Sequence, residues 1–82
     1  MTNLTDISDE IVDERCKQNE IFGEQDYKPL KWVAILSEGI GEVAKDVLES
    51  NSNYRAELIQ VAAVAVAAIE CYDRGSKNVL DS

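Results

Sequence analysis

Eighty-two residues make one small domain, and sixteen acidic against eight basic side chains leave a net charge of −8. That balance argues against a nucleic-acid backbone or an anionic membrane as partner, since both demand a basic footprint. There is no histidine, and the only cysteines, Cys16 and Cys71, are too far apart in the chain for a CxxC pair, so a zinc site is poorly supported. The opening MTNLTDISDEIVDER has neither the basic n-region nor the apolar h-region of a secretory signal, and a cytoplasmic setting with reduced thiols is expected.

Three helical segments follow in chain order. The first is expected over about Thr5 to Glu20, with Leu4, Ile7, Ile11 and Cys16 as a loose apolar stripe. Thr5 or Asp6 is the expected cap, and Gly23 is expected to close the helix in the left-handed conformation. Residues 24–29 read as a loop. Pro29 suits the first position of the second helix, which is expected to run to about Glu49. Trp32, Ile35, Leu36, Ile40, Val43 and Val47 form its predicted buried stripe. Gly39 and Gly41 fall inside it, each costing about 1 kcal/mol relative to alanine; a glycine in a helix also marks places where a neighbouring backbone comes close. Residues 50–53 read as a turn. The third helix is expected over about Asn53 to Arg74, with Gly75 as its stop and a tail over 75–82 polar enough to fray.

From Leu58 to Ile69 the only polar residue is Gln60. A helix apolar on every side must be surrounded on every side, and this one is too short and too alanine-rich for a membrane span. The expectation is an all-α helical bundle completed by oligomerisation, a dimer or a tetramer, with Gln60 buried and hydrogen-bonded.

The chemistry-bearing residues sit on the two later helices. Glu38 and Glu42 lie one turn apart, and Glu57 is followed three residues on by Gln60, so each pair shares a helix face. Packed antiparallel, the two helices would aim three carboxylates and an amide into one pocket. Carboxylates crowded this way repel one another, and a hard divalent cation such as Mg²⁺ is the usual remedy. Phosphate-ester chemistry is therefore the first function to test.

The segments ERCKQNEIFGEQ, KWVAILSEGIGEVAKDVLES and YRAELIQVAAVAVAAIECYDR, spanning about residues 14–74, resemble the MazG-like all-α nucleoside triphosphate pyrophosphohydrolases, especially the short forms of bacteria and their phages. The resemblance implies a dimeric or tetrameric helical fold that cleaves a (d)NTP to the (d)NMP and pyrophosphate with Mg²⁺. The family's EExxE and ExxD motifs correspond here to Glu38, Gly39 and Glu42, and to Glu57 and Gln60. On that basis Glu38, Glu42, Glu57 and Gln60 are the implied metal ligands, with Glu38 and Glu42 also catalytic. Gly39 and Gln60 stand where the family has acids, and restoring Glu and Asp there is expected to complete a four-carboxylate cage. The family's lysine and tryptophan before the first glycine are replaced by Ile21 and Phe22. Phe22 as a base-stacking ring and Gln18 as a base or sugar contact rest on the resemblance alone. Trp32 reads equally as a core residue or as a wall of a base pocket. Lys31, Lys45, Arg55 and Arg74 read as phosphate contacts or as ordinary salt-bridge partners, and Asp46 as an outer acid or a surface charge. The alternative to an enzyme is a catalytically impaired relative that binds a nucleotide, a signalling nucleotide or a protein. A purely structural helical oligomer would explain the alanine-rich helix but not the acids.

Overall fold

Capping chemistry and turn residues divide the chain into three helices: α1 (Leu4–Phe22), α2 (Pro29–Leu48) and α3 (Tyr54–Asp73). The structure is a computed structural model and describes residues 3–75; the expectation of a frayed tail falls, from residue 76 on, outside the described residues. Helix α1 starts one residue earlier than expected, at Leu4, because Asn3, not Thr5 or Asp6, is its cap. The Asn3 Oδ1 accepts from the Asp6 backbone N–H at 2.9 Å, while the Asp6 carboxylate lies at the positive end of the helix. At the other end the Gly23 N–H donates to the Asn19 carbonyl, and Gly23 has φ 71° and ψ −170°. The positive φ was expected, but the extended ψ puts it outside the left-handed helical well, in a region open essentially only to glycine.

Pro29 opens α2 at its first position, where its missing N–H is no loss. The helix runs through both internal glycines and ends in a Schellman motif. The Asn51 N–H donates to the Asp46 carbonyl and the Ser50 N–H to that of Val47, with Ser50 at φ 57° in the position glycine usually fills. The Asn51 side chain then accepts from the Asn53 N–H at 2.9 Å, an Asx turn that leads into α3. Asn53, the residue before α3, makes no side-chain cap.

Helix α3 is the centre of the molecule. It packs against both α1 and α2, and among the described residues α1 and α2 do not pack against each other. Ala63, Ala67 and Cys71 are buried at four-residue spacing along α3, one line of small side chains that lets its neighbours approach closely. Trp32 is the one buried residue of α2, and α1 has none. The core is Trp32, Ala67 and Cys71, flanked by Tyr27, Ile35, Val64 and Ala68. The Tyr27 and Trp32 rings lie 5.1 Å apart at a tilt, and the Cys71 thiol donates to the Tyr27 carbonyl. Cys16 is exposed, and no disulfide joins it to Cys71.

The predicted stripes need correction. Leu4 and Cys16 are exposed on α1, and Ile40 and Val47 are exposed on α2. The buried face of α2 is turned toward Trp32, Ile35, Gly39 and Val43, because one neighbour, α3, covers only one side of it. None of the described helices is long and apolar enough to cross a membrane.

Candidate functional site

Because α1 and α2 meet only α3, a cleft opens between them with α3 as its floor. Its walls carry Gln18 from α1, Glu38, Gly39 and Glu42 from α2, and Glu57 and Gln60 from α3, over an apolar base of Ile35, Leu36, Val61 and Val64. The volume is about 240 Å³. The two pairs read from i, i+4 and i, i+3 spacing, Glu38 with Glu42 and Glu57 with Gln60, thus line one space, and the Gln18 side chain reaches across it. Its Nε2 lies 3.4 Å from the Gln60 backbone carbonyl and 3.4 Å from a Glu14 oxygen, both long contacts.

Among the described residues, Glu38, Glu42 and Glu57 have no ion-pair or hydrogen-bond partner for their carboxylates. The acids elsewhere are treated differently. Arg15 pairs with Glu70, Arg55 with Glu10, and Arg74 with Asp26 and Glu24. All three arginines of the chain are engaged this way. For Arg55 and Arg74 the salt-bridge alternative holds, and neither lines the acidic cleft. The bidentate hydrogen bonds from Arg55, at 2.9 and 2.7 Å, hold the Glu10 carboxyl below its ordinary pKa and push the guanidinium up. The Arg74 guanidinium is likewise raised by its hydrogen bonds to Asp26. The cleft is left with uncompensated negative charge.

Gln60 is exposed, not buried as expected. Its neighbours in sequence are apolar, but α3 is covered on two sides only, and Gln60 lines the open cleft between α1 and α2. Gly39 has a role in packing. A Cβ at residue 39 would come within 2.8 Å of the Val61 Cγ2, and a β-branched side chain in a helix has little freedom to turn away. The close approach of α2 to α3 therefore opposes any side chain at residue 39, the carboxylate of the motif included, unless Val61 or the helix spacing shifts. Gly41 faces open space. Among the described residues no three acidic or thiol groups converge closely enough to hold a metal ion; the carboxylates line the cleft without forming a ready cage.

A second cavity of about 180 Å³ adjoins the first, sharing Gln18, Ile35 and Val64 and adding Phe22, Gln25, Trp32 and Ala67. Phe22, 64 % exposed, lies at its edge. Trp32 is a core residue and also forms one wall of this cavity. Its indole N–H is buried without a hydrogen-bond partner among the described residues. Lys31 lines neither cavity; its ammonium lies 5.1 Å from the Tyr27 ring centroid. Lys45 and Asp46 line neither one. Gln25 escaped the sequence reading because a loop residue carries no periodicity; its amide donates to the Tyr27 hydroxyl, which fixes it at the cavity wall. Compared with known protein families, curated proteins and solved structures, the chain matches none of them.

Proposed function

We propose that this chain is a MazG-like, all-α nucleoside triphosphate pyrophosphohydrolase that acts as a homo-oligomer, dimer or tetramer, on a Mg²⁺–(d)NTP in the cytoplasm. The observation that carries the proposal is the meeting of Gln18, Glu38, Glu42, Glu57 and Gln60 in one cleft beside an aromatic cavity. Each cavity alone is below the range usual for a ligand pocket. They share three lining residues, so one ligand with a charged and a planar end can span both. The phosphates belong in the acidic part and the base beside Phe22 and Trp32.

Electrostatics selects the charge state of the ligand. Three unpaired carboxylates, with every arginine engaged elsewhere, repel a bare triphosphate. A triphosphate already carrying Mg²⁺ brings its own compensating charge. Since the carboxylates form no ready cage, the metal is taken here as part of the incoming substrate, and Mg²⁺ without nucleotide should bind only at millimolar concentration. Glu38 or Glu42 would accept a proton from the attacking water. The new bond forms between the water oxygen and the α-phosphorus, the bond to the α–β bridging oxygen breaks, and pyrophosphate leaves with that oxygen.

A second reading, nucleotide binding without turnover, is favoured by Gly39, where packing opposes the missing acid, and by the lack of convergence among the carboxylates. Incubating the purified chain with a panel of NTPs and dNTPs plus Mg²⁺ separates the readings. Release of pyrophosphate and a nucleoside monophosphate, lost in Glu42→Gln, is expected of the enzyme. Calorimetric binding without release selects the binder. Neither binding nor release overturns both.

A further inference from the structure

The loop that joins α1 to α2, residues 23–28, is clamped to the far end of α3. Arg74, at the C-terminal cap of α3, donates from Nη2 to the Gln25 carbonyl at 3.0 Å. It also donates from Nε and Nη2 to the Asp26 carboxylate, at 3.0 and 2.8 Å. The Cys71 thiol donates to the Tyr27 carbonyl, and the Tyr27 ring lies against Trp32. The Gln25 side chain is fixed as well, since its Nε2 donates to the Tyr27 hydroxyl at 2.9 Å. A chain of contacts from the end of α3 thus holds one half-buried amide at the wall of the aromatic cavity.

The hydrogen-bonding capacity of that cavity is one-sided. With its nitrogen given to Tyr27, the Gln25 amide has its oxygen left, and no described residue donates to it. Gln18, the other amide on the wall, gives its nitrogen to the Gln60 carbonyl and to Glu14 by long contacts. The indole N–H of Trp32 is buried and so is closed to a ligand. What a bound ring meets at its edge is therefore an acceptor. A base stacked on Phe22 presents its polar edge in the plane of the ring, where only the walls of the cavity can reach it. An amino group there donates to the Gln25 oxygen. An oxo group sets two acceptors face to face and leaves both unpaired. Resting on the nucleotide reading above, we infer that Gln25 contacts the base and selects an amino-bearing one, such as cytosine or adenine, over its oxo counterpart, with Arg74 as the positioning residue that holds it in place.

The test is calorimetric titration with Mg²⁺ and the α,β-imido analogues of dCTP, dUTP, dATP and dITP, which cannot be cleaved between those phosphates. Within each pair, dCTP with dUTP and dATP with dITP, an amino group is exchanged for an oxo group. Each amino member should bind at least about tenfold more tightly than its oxo partner. Gln25→Leu should lower both ratios at least about fivefold, and Gln25→Glu, which keeps an acceptor, should preserve them. Arg74→Ala, which frees the Gln25 carbonyl and Asp26, should lower the ratios too. Mg²⁺–tripolyphosphate, which has no base, should bind Gln25→Leu and Arg74→Ala as it binds the native chain, a result that a loss of folding would not give. Equal affinity within the pairs overturns the inference. So does an oxo preference, which would mean that the Gln25 amide is turned the other way. Ratios unchanged in Gln25→Leu or in Arg74→Ala also overturn it, and so does weakened tripolyphosphate binding, the mark of a merely structural role. In all of these cases the nucleotides still bind the native chain and the reading of the cleft stands. No binding of any of the four nucleotides to the native chain overturns both.

Discussion

The two seams of α3 are built on different physics. Toward α2 the contact is apolar and close: Trp32 against Ala67 and Cys71, and Gly39 against Val61. Toward α1 no residue of the helix is fully buried, Ile7 and Ile11 are only half-buried, and the side-chain contacts across are the ion pairs Arg15–Glu70 and Arg55–Glu10 and the long contact from Gln18 to the Gln60 carbonyl. Burial of apolar surface is insensitive to salt and mild acid; exposed ion pairs are screened by the one and titrated by the other. This contrast accounts for the geometry of the cleft. Its α2 wall is set by close apolar packing, and its α1 wall, with Gln18, rests in part on ion pairs that solution conditions can tune.

The largest effect is expected on the apolar seam. Trp32→Ala removes the largest core side chain and is expected to cost about 3–5 kcal/mol, a large share of what so small a domain has; urea unfolding measures it. Trp32→Phe should cost much less, since it also removes an indole N–H buried without a partner among the described residues. Equal losses in the two variants would mean that the indole N–H has a partner in solution.

Gly39→Ala tests the close approach. The added methyl would meet Val61 at 2.8 Å, so despite the better helix propensity of alanine the change should destabilise by about 1–3 kcal/mol. Gly39→Glu, which the motif alone recommends, should be worse and should not raise turnover. If Gly39→Ala instead stabilises by about 1 kcal/mol, propensity has won and the α2–α3 contact is looser than described.

The smallest effect is expected on the charged seam with α1. The Glu10 carboxyl is held below the usual carboxylate range by its hydrogen bonds from Arg55. A depressed folded-state pKa contributes stability that is present above the unfolded value and is lost as pH falls through the folded one. As pH drops below the usual carboxylate range, the protection of the α1 amides, measured against their intrinsic exchange at each pH, should therefore fall before that of α2 and α3, and added salt should act in the same direction. Uniform exchange in all three helices would erase the distinction between the seams.

Much of the architecture was legible in local chemistry. Three helices with Pro29 at one start and Gly23 and Gly75 near two ends follow from capping, φ restriction and apolar spacing, which act within a few residues. The pairing of Glu38 with Glu42 and of Glu57 with Gln60 on shared faces follows from helical pitch in the same way. That all four line one cleft required only two adjacent helices joined by a short turn.

The remaining features depend on which neighbour covers which side, and no local rule reaches that far. The sequence of α3 demands cover, but it does not say that α1 and α2 meet α3 without meeting each other, and that gap is what creates the cleft and exposes Gln60. Gly39 has the same helix propensity wherever it stands; the Val61 methyl across the seam is what disfavours a side chain there. Arg55 and Arg74 had two readings each until Glu10 and Asp26 came within hydrogen-bonding reach. The stripe predicted for α2 is divided by the fold: Trp32 faces inward, while Ile40 and Val47 face out. Periodicity reports how far apolar character extends around a helix, and only the packing of the other helices reports how much of it a single chain can bury.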